Sequence, residues 1–243
     1  MGDRDLLVLL NRIAASASID EAWELATGYF GKLGFKRANY GYTRFRHLKT
    51  IGDPDDALFL TTCDAEFVRR YFQGGFFART PIFRWCERNS GSCTWTWVKE
   101  AFEKGQLAPE EMEAVKQNAM TGVTAGMSIS FPDASSRSKG ALGLIADPGI
   151  SQAEVDAIYA EKRDEIMVVA NMMHLAIVHL PQLSRRRALS PRQRESLEWV
   201  ADGKTTQELK QGDDLAVRAS MNGSKLVDFK NAPLVFVGYG VTA

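Results

Sequence analysis

Apolar positions along the chain fall into blocks with helical or strand spacing, and the blocks alternate. Ser18-Ile-Asp-Glu21 is a capping box, in which a hydroxyl satisfies a helix start and a glutamate three residues on reaches back. Trp23, Leu25, Ala26, Tyr29, Phe30 and Leu33 follow at helical spacing, and Gly34 stops the helix. Arg37–Arg46 is rich in β-formers, with Tyr40 and Tyr42 in alternation, and predicts a strand; Leu58–Thr62 predicts a second, short one. Asp64 caps a helix through Phe67, Val68, Tyr71 and Phe72 that ends at Gly74-Gly75, and Pro81 starts a further turn or short helix.

Pro109 sits at a first helical position, Met112, Val115 and Met120 follow, and Gly122 is the stop. Gly126–Phe131 and Gly140–Ala146 flank a polar loop and read as a hairpin of two buried strands. Ser151-Gln-Ala-Glu154 is a second capping box, opening a long helix to about Leu180 that Pro181 ends. This helix carries Val155, Ile158, Tyr159, Ile166, Val169, Met173 and Ile177, and is apolar over a wide arc, so at least one face is buried. The other face meets either a second subunit or more of the same chain. Few strands flanked by helices on both sides predict an α+β domain: a mostly antiparallel sheet in an α–β–α sandwich.

Composition narrows the function classes. Of 243 residues, 45% are hydrophobic and 25% charged, as in an ordinary soluble globular chain. The formal net charge is zero, which gives no global electrostatic argument for nucleic acid. Locally, Ser184–Arg194 (SRRRALSPRQR) holds five arginines and reads as a solvated linker or a phosphate-binding patch. The N-terminus lacks the apolar core of a signal peptide, and no apolar run approaches the roughly 18 residues of a membrane span. Three cysteines, Cys63, Cys86 and Cys93, lack CxxC spacing and fit a reducing cytoplasm. His174 and His179 are five apart, off the face that a helical zinc pair needs, so no metal site is expected. G-x-S-x-G, HExxH and P-loop patterns are missing, so no enzyme and no cofactor is expected.

Leu189–Leu209, LSPRQRESLEWVADGKTTQEL, resembles the first half of the helix-turn-helix domain of the LuxR-type quorum-sensing regulators. The resemblance covers roughly residues 15–209. It implies an N-terminal domain that binds an acyl-homoserine lactone between a sheet and a helical layer, homodimerisation, and DNA as a partner. The family's ligand fingerprint is a Tyr, a Trp four later, a Tyr four after that, Asp-Pro, a further Trp and a strand Gly. By spacing these fall on Cys63, Phe67, Tyr71, Thr80-Pro81, Trp95 and Gly126. A buried lactone carbonyl needs a donor and a ligand amide needs an acceptor, because an unpaired polar group in an apolar pocket costs roughly 1–3 kcal/mol. Phe67 cannot donate and Thr80 carries no charge, so the implied pocket is more apolar than the family's and takes a lactone or a more apolar relative. The competing reading makes Phe67, Tyr71, Phe72, Phe76, Phe77, Phe83, Trp85, Trp95 and Trp97 plain core.

The family's DNA contacts fall on Arg192, Arg194, Lys204, Thr205 and Thr206. Sequence-specific reading of a major groove also needs a recognition helix. From Lys210 none follows; residues 210–243 end in the β-rich APLVFVGYGVTA and read as an unrelated tail. The expected organisation is therefore a ligand-binding and dimerisation domain over 1–181, a basic linker over 182–188, a partial helix-turn-helix over 189–209 and a tail. Such a chain is expected to sense a small molecule and to pair with an intact relative as a dominant-negative partner. The alternative is an orphan small-molecule-binding or interaction domain with no role on DNA.

Overall fold

The computed structural model describes residues 2–44, 57–132 and 138–181, the side chain of Gln73 excepted. In chain order these form helices α1 (Asp3–Ala14) and α2 (Ile19–Lys32), strands β1 (Arg37–Thr43) and β2 (Leu58–Thr61), and a short helix α3 (Ala65–Val68). A π-helical turn (Arg69–Gln73) and a 3-10 turn (Phe76–Arg79) lead into α4 (Pro81–Arg88) and strand β3 (Gly91–Thr94). Helices α5 (Thr96–Glu103) and α6 (Pro109–Met120), strands β4 (Gly126–Ser130) and β5 (Lys139–Ile145), and α7 (Gln152–His179) complete the order. The linker, partial helix-turn-helix and tail expected beyond 181 lie outside the described residues, as do Arg192, Arg194, Lys204, Thr205 and Thr206.

The strands form one antiparallel sheet in the order β2-β1-β5-β4-β3. Side chains on a strand alternate between faces, and here the alternation separates large from small. Ala38, Tyr40 and Tyr42 of β1, Met127 and Ile129 of β4, and Leu142 and Leu144 of β5 are buried in the main core with Phe30 of α2 and Ile166, Val169, Met173 and Ile177 of α7. Asn39 and Gly41 of β1 point to the opposite face, and in register they sit beside Gly143 and Ala141 of β5. One face of the sheet is thus bulky and sealed under α1, α2 and α7. The other carries small residues at its middle, Asn39, Gly41, Ser128, Ala141 and Gly143, with Phe59 and Ile145 at its margins, and is roofed by the segment from α3 to α6.

The capping residues act as their types require. Ser18 accepts from the Glu21 N–H at 3.2 Å, while the Glu21 carboxylate reaches one residue further back than expected, to the Ala17 N–H at 2.9 Å. At α7 the box is reciprocal: Ser151 Oγ accepts from the Glu154 N–H at 3.3 Å and Glu154 accepts from the Ser151 N–H at 2.8 Å. Asp64 accepts from the Phe67 N–H at 2.9 Å to start α3. That helix was expected to run on to Phe72; instead it widens at Arg69 into the π turn, and Gly75, at φ 65°, closes it.

Three elements were not foreseen. The apolar stretch at the N-terminus, too short for a signal peptide, forms α1: Ile13 is fully buried, with Leu6, Leu9 and Leu10 packed against the core. Strand β3, Gly-Ser-Cys-Thr, has little intrinsic strand preference and is held by pairing with β4. Helix α5 follows it directly. Met120, expected on the inner face of α6, is 77% exposed.

Candidate ligand-binding site

Between the small-residue face of the sheet and the α3–α6 segment lies a cavity of about 290 Å³. Its floor includes Asn39, Gly41, Ser128, Ala141 and Gly143. The floor is open because these side chains are short: a Cβ added at Gly143 would meet nothing nearer than the Asn39 carbonyl, 3.9 Å away. Its roof is aromatic and apolar, with Phe67, Tyr71, Phe72, Phe77, Phe83, Trp95, Val98 and Phe102. The rings hold one another. Phe67 stacks on Tyr71 (centroids 4.8 Å apart, 22° between planes), Tyr71 meets Phe72 edge-on at 5.1 Å, and Phe77 meets Phe83 edge-on at 5.1 Å.

Of the residues the sequence pointed to, Phe67, Tyr71, Thr80, Pro81 and Trp95 all line this cavity. Cys63 and Gly126 do not. Cys63 packs behind Phe67, Val123 and Ile145. Gly126 acts one step away: a Cβ there would fall 2.4 Å from the Leu144 carbonyl and 2.8 Å from the Trp95 ring, so only glycine lets the indole pack against the strand. The buried Gln152 amide holds the same spot, accepting from the Gly126 N–H at 3.0 Å and donating to its carbonyl at 3.2 Å.

The polar groups on the wall are mostly engaged within the protein. Trp95 Nε1–H donates to Ser128 Oγ at 2.9 Å. Thr80 caps α4, accepting from the Phe83 N–H at 3.2 Å while its own hydroxyl donates to the Phe77 carbonyl at 2.8 Å. Pro81 follows at the first helical position. Burial pushes the Tyr71 phenol up to about 12, against a hydrogen bond with Thr80 that pulls the other way, so it keeps its proton at neutral pH. On α6, Asn118 also reaches the wall, and its Oδ1 is buried without a partner. The Arg84 guanidinium pairs with the buried Glu111 carboxylate, tying α4 to α6 across the roof.

The thiols at and near the cavity are not activated. Burial pushes Cys86, on the cavity wall, up to about 12 and Cys93 to about 11, and raises Cys63 as well, so the thiols stay protonated and weakly nucleophilic. Among the described residues no cluster of three or more His, Cys, Asp or Glu is placed to hold a metal ion, and no helix is long and apolar enough to cross a membrane. His174 is a packing residue, stacked face to face on Phe131 at 4.0 Å.

The floor residues carry no motif. Asn39, Gly41, Ala141 and Gly143 were visible as the small partners of Tyr40, Tyr42, Leu142 and Leu144 in two strands. A strand alternating large with small, rather than apolar with polar, signals a cavity on its small face.

A partly small-residue sheet face under an aromatic lid, with a sealed core behind it, encloses a largely apolar cavity. The chain belongs to the autoinducer-binding domain family, whose model matches residues 18–177. No curated protein matches its sequence. Several solved structures share its fold. Escherichia coli SdiA is 17% identical, with a TM-score of 0.58 over 84% of this chain and 81% of its own. The N-acylhomoserine lactone-dependent LuxR-family transcription factor CepR2 from Burkholderia cenocepacia is 16% identical, with a TM-score of 0.53 over 71% of this chain and 93% of its own. SdiA in complex with octanoyl-rac-glycerol is 18% identical, with a TM-score of 0.54 over 86% of this chain and 82% of its own.

Proposed function

We propose that this chain is a ligand-responsive, non-enzymatic regulator of the LuxR type that binds an acyl signal, an acyl-homoserine lactone or a more apolar relative, in the cavity between sheet and lid. The observation that carries this reading is the convergence of Phe67, Tyr71, Thr80, Pro81 and Trp95 on one cavity wall. These positions are the ones that the resemblance to the LuxR-type fingerprint implies, and Phe67, Tyr71, Thr80-Pro81 and Trp95 come from different stretches of the chain. The apolar roof suits an acyl chain, and the lack of a carboxylate at Thr80 favours a head group that does not depend on an amide N–H. The complex of SdiA with octanoyl-rac-glycerol makes acyl glycerols a second class to test beside the lactones.

The wider reading places the protein in the cytoplasm, as a homodimer or paired with an intact relative, with DNA contacts at Arg192, Arg194, Lys204, Thr205 and Thr206 weakened or lost. In support, Val168 and Leu175 of α7 are 38% and 52% exposed, an outward apolar edge seven residues apart on one helix face. Without a recognition helix a mixed dimer would lose one half-site reader, and with it a large share of specific affinity.

Native mass spectrometry of the full chain tests the ligand reading, with and without a panel of acyl-homoserine lactones and octanoyl-rac-glycerol. An added mass matching one of them is the expected result. A bare chain under every condition overturns the reading.

A further inference from the structure

Resting on the acyl-signal reading, we infer that Asn39 supplies the hydrogen bond that fixes the signal's carbonyl, taking over the work of the tryptophan replaced by Phe67. Asn39 lies on the small-residue face of β1 and on the cavity wall. Its amide orientation is set by a short chain of hydrogen bonds. The Cys63 N–H donates to Thr61 Oγ1 at 3.0 Å, and the Thr61 hydroxyl in turn stands 2.6 Å from Asn39 Oδ1. That separation suits O–H···O and is shorter than ordinary N–H···O bonds, so the atom facing Thr61 is the oxygen. The Thr61 proton also needs an acceptor, since its oxygen already receives the Cys63 N–H.

With Oδ1 held, Nδ2 and its two hydrogens are committed to the other side of the amide, on the cavity wall, where no hydrogen bond from them to another described residue is made. The Trp95 indole N–H, the donor nearest the position of Phe67 in the fingerprint, is spent on Ser128. Phe67 has no donor at all. A preoriented amide N–H on a strand paired on both sides costs little to engage and rewards a carbonyl oxygen. The ligand class that fits is a medium-chain acyl compound whose carbonyl lies against the sheet and whose chain runs under the aromatic lid.

The test is a two-by-two comparison by isothermal titration with the full chain. The two probes are octanoyl-rac-glycerol and octyl-rac-glycerol ether, which lacks the carbonyl. The two proteins are the unmodified chain and Asn39→Asp, which keeps the acceptor for Thr61 but replaces the donor with an oxygen. The unmodified chain is expected to bind the ester about tenfold more tightly than the ether, and Asn39→Asp to lose that preference. Equal affinity of the unmodified chain for ester and ether overturns the inference, even if Asn39→Asp does not fold. A preference that survives in Asn39→Asp also overturns it, while leaving the acyl-signal reading intact. Failure of the unmodified chain to bind either probe or any lactone sinks both.

Discussion

Trp95 packs against Gly126, its indole N–H donating to Ser128 Oγ at 2.9 Å. The contact has two halves that depend on each other. The missing Cβ at Gly126 lets the ring approach, and the approach brings Nε1 to the serine. Gly126→Ala would place a methyl inside both the ring and the Leu144 carbonyl. The carbonyl belongs to the neighbouring strand and cannot move alone. We expect a loss of about 2 kcal/mol in stability by urea unfolding, within the usual range for overpacking. We also expect weakened ligand binding, as Trp95 is displaced into the cavity. An alanine variant as stable as the parent would show that the strand yields easily and that Gly126 does not seat the indole.

Reintroducing the family's polar pair is a direct test of the alignment. Phe67 and Thr80 both face the cavity, and Thr80 already serves as a helix cap, a role aspartate fills equally well. Phe67→Trp adds a donor for a lactone carbonyl, and Thr80→Asp adds an acceptor for the amide N–H. The double variant should bind an acyl-homoserine lactone on the order of tenfold more tightly than the parent, and more by a charged bond. An unchanged dissociation constant in fluorescence titration would mean that these two positions do not meet the head group.

How far this site could be read from sequence depends on which signal each residue carried. Thr80 and Tyr71 were pointed to only through the resemblance, and the capping role of Thr80 was not read, whereas Pro81 was legible as a helix start because that signal is local. The α2 and α7 capping boxes were legible for the same reason, and their helices were placed to within a residue or two. The floor was not, because Asn39 and Gly143 become neighbours only through the β1–β5 register. Strand β3 was hidden because its pairing with β4 supplies what Gly-Ser-Cys-Thr lacks. Gly126 was expected at the ligand and instead seats Trp95, a role that only the three-dimensional approach of the indole reveals.

His174 makes the stability of the domain depend on pH. Its ring is stacked on Phe131, its Nδ1 is 2.8 Å from the Tyr40 hydroxyl, and Tyr42 meets it edge-on. Burial pulls its pKa from 6.5 down to about 4. The unfolded chain therefore takes up the proton more readily than the folded one. Stability is full above the unfolded value, falls as pH drops through it, and levels off below the folded value. Between about pH 7.5 and about pH 5 the loss should be about 2 kcal/mol. His174→Gln should flatten this slope in urea unfolding across the same range, whatever it does to absolute stability. An unaltered slope would assign the pH dependence to other groups.

Filling the floor separates binding from folding more cleanly than any change to the lid. Lid residues such as Phe67 and Tyr71 hold one another, so truncating them alters the packing as well as the cavity. Gly143 touches the cavity without supporting it. Its added Cβ has ordinary clearance, and its backbone has no positive φ that would forbid a side chain. Gly143→Leu would project an isobutyl group into the space the signal needs, from a strand whose pairing stays intact. Replacing glycine within a strand also removes unfolded-state entropy, so stability should hold or rise by about 1 kcal/mol. Binding of any acyl probe should drop below detection. A Gly143→Leu chain that melts normally and still binds would place the ligand elsewhere on the domain. One that melts normally and no longer binds would fix the sheet face, rather than the outer surface of the lid, as the site of recognition.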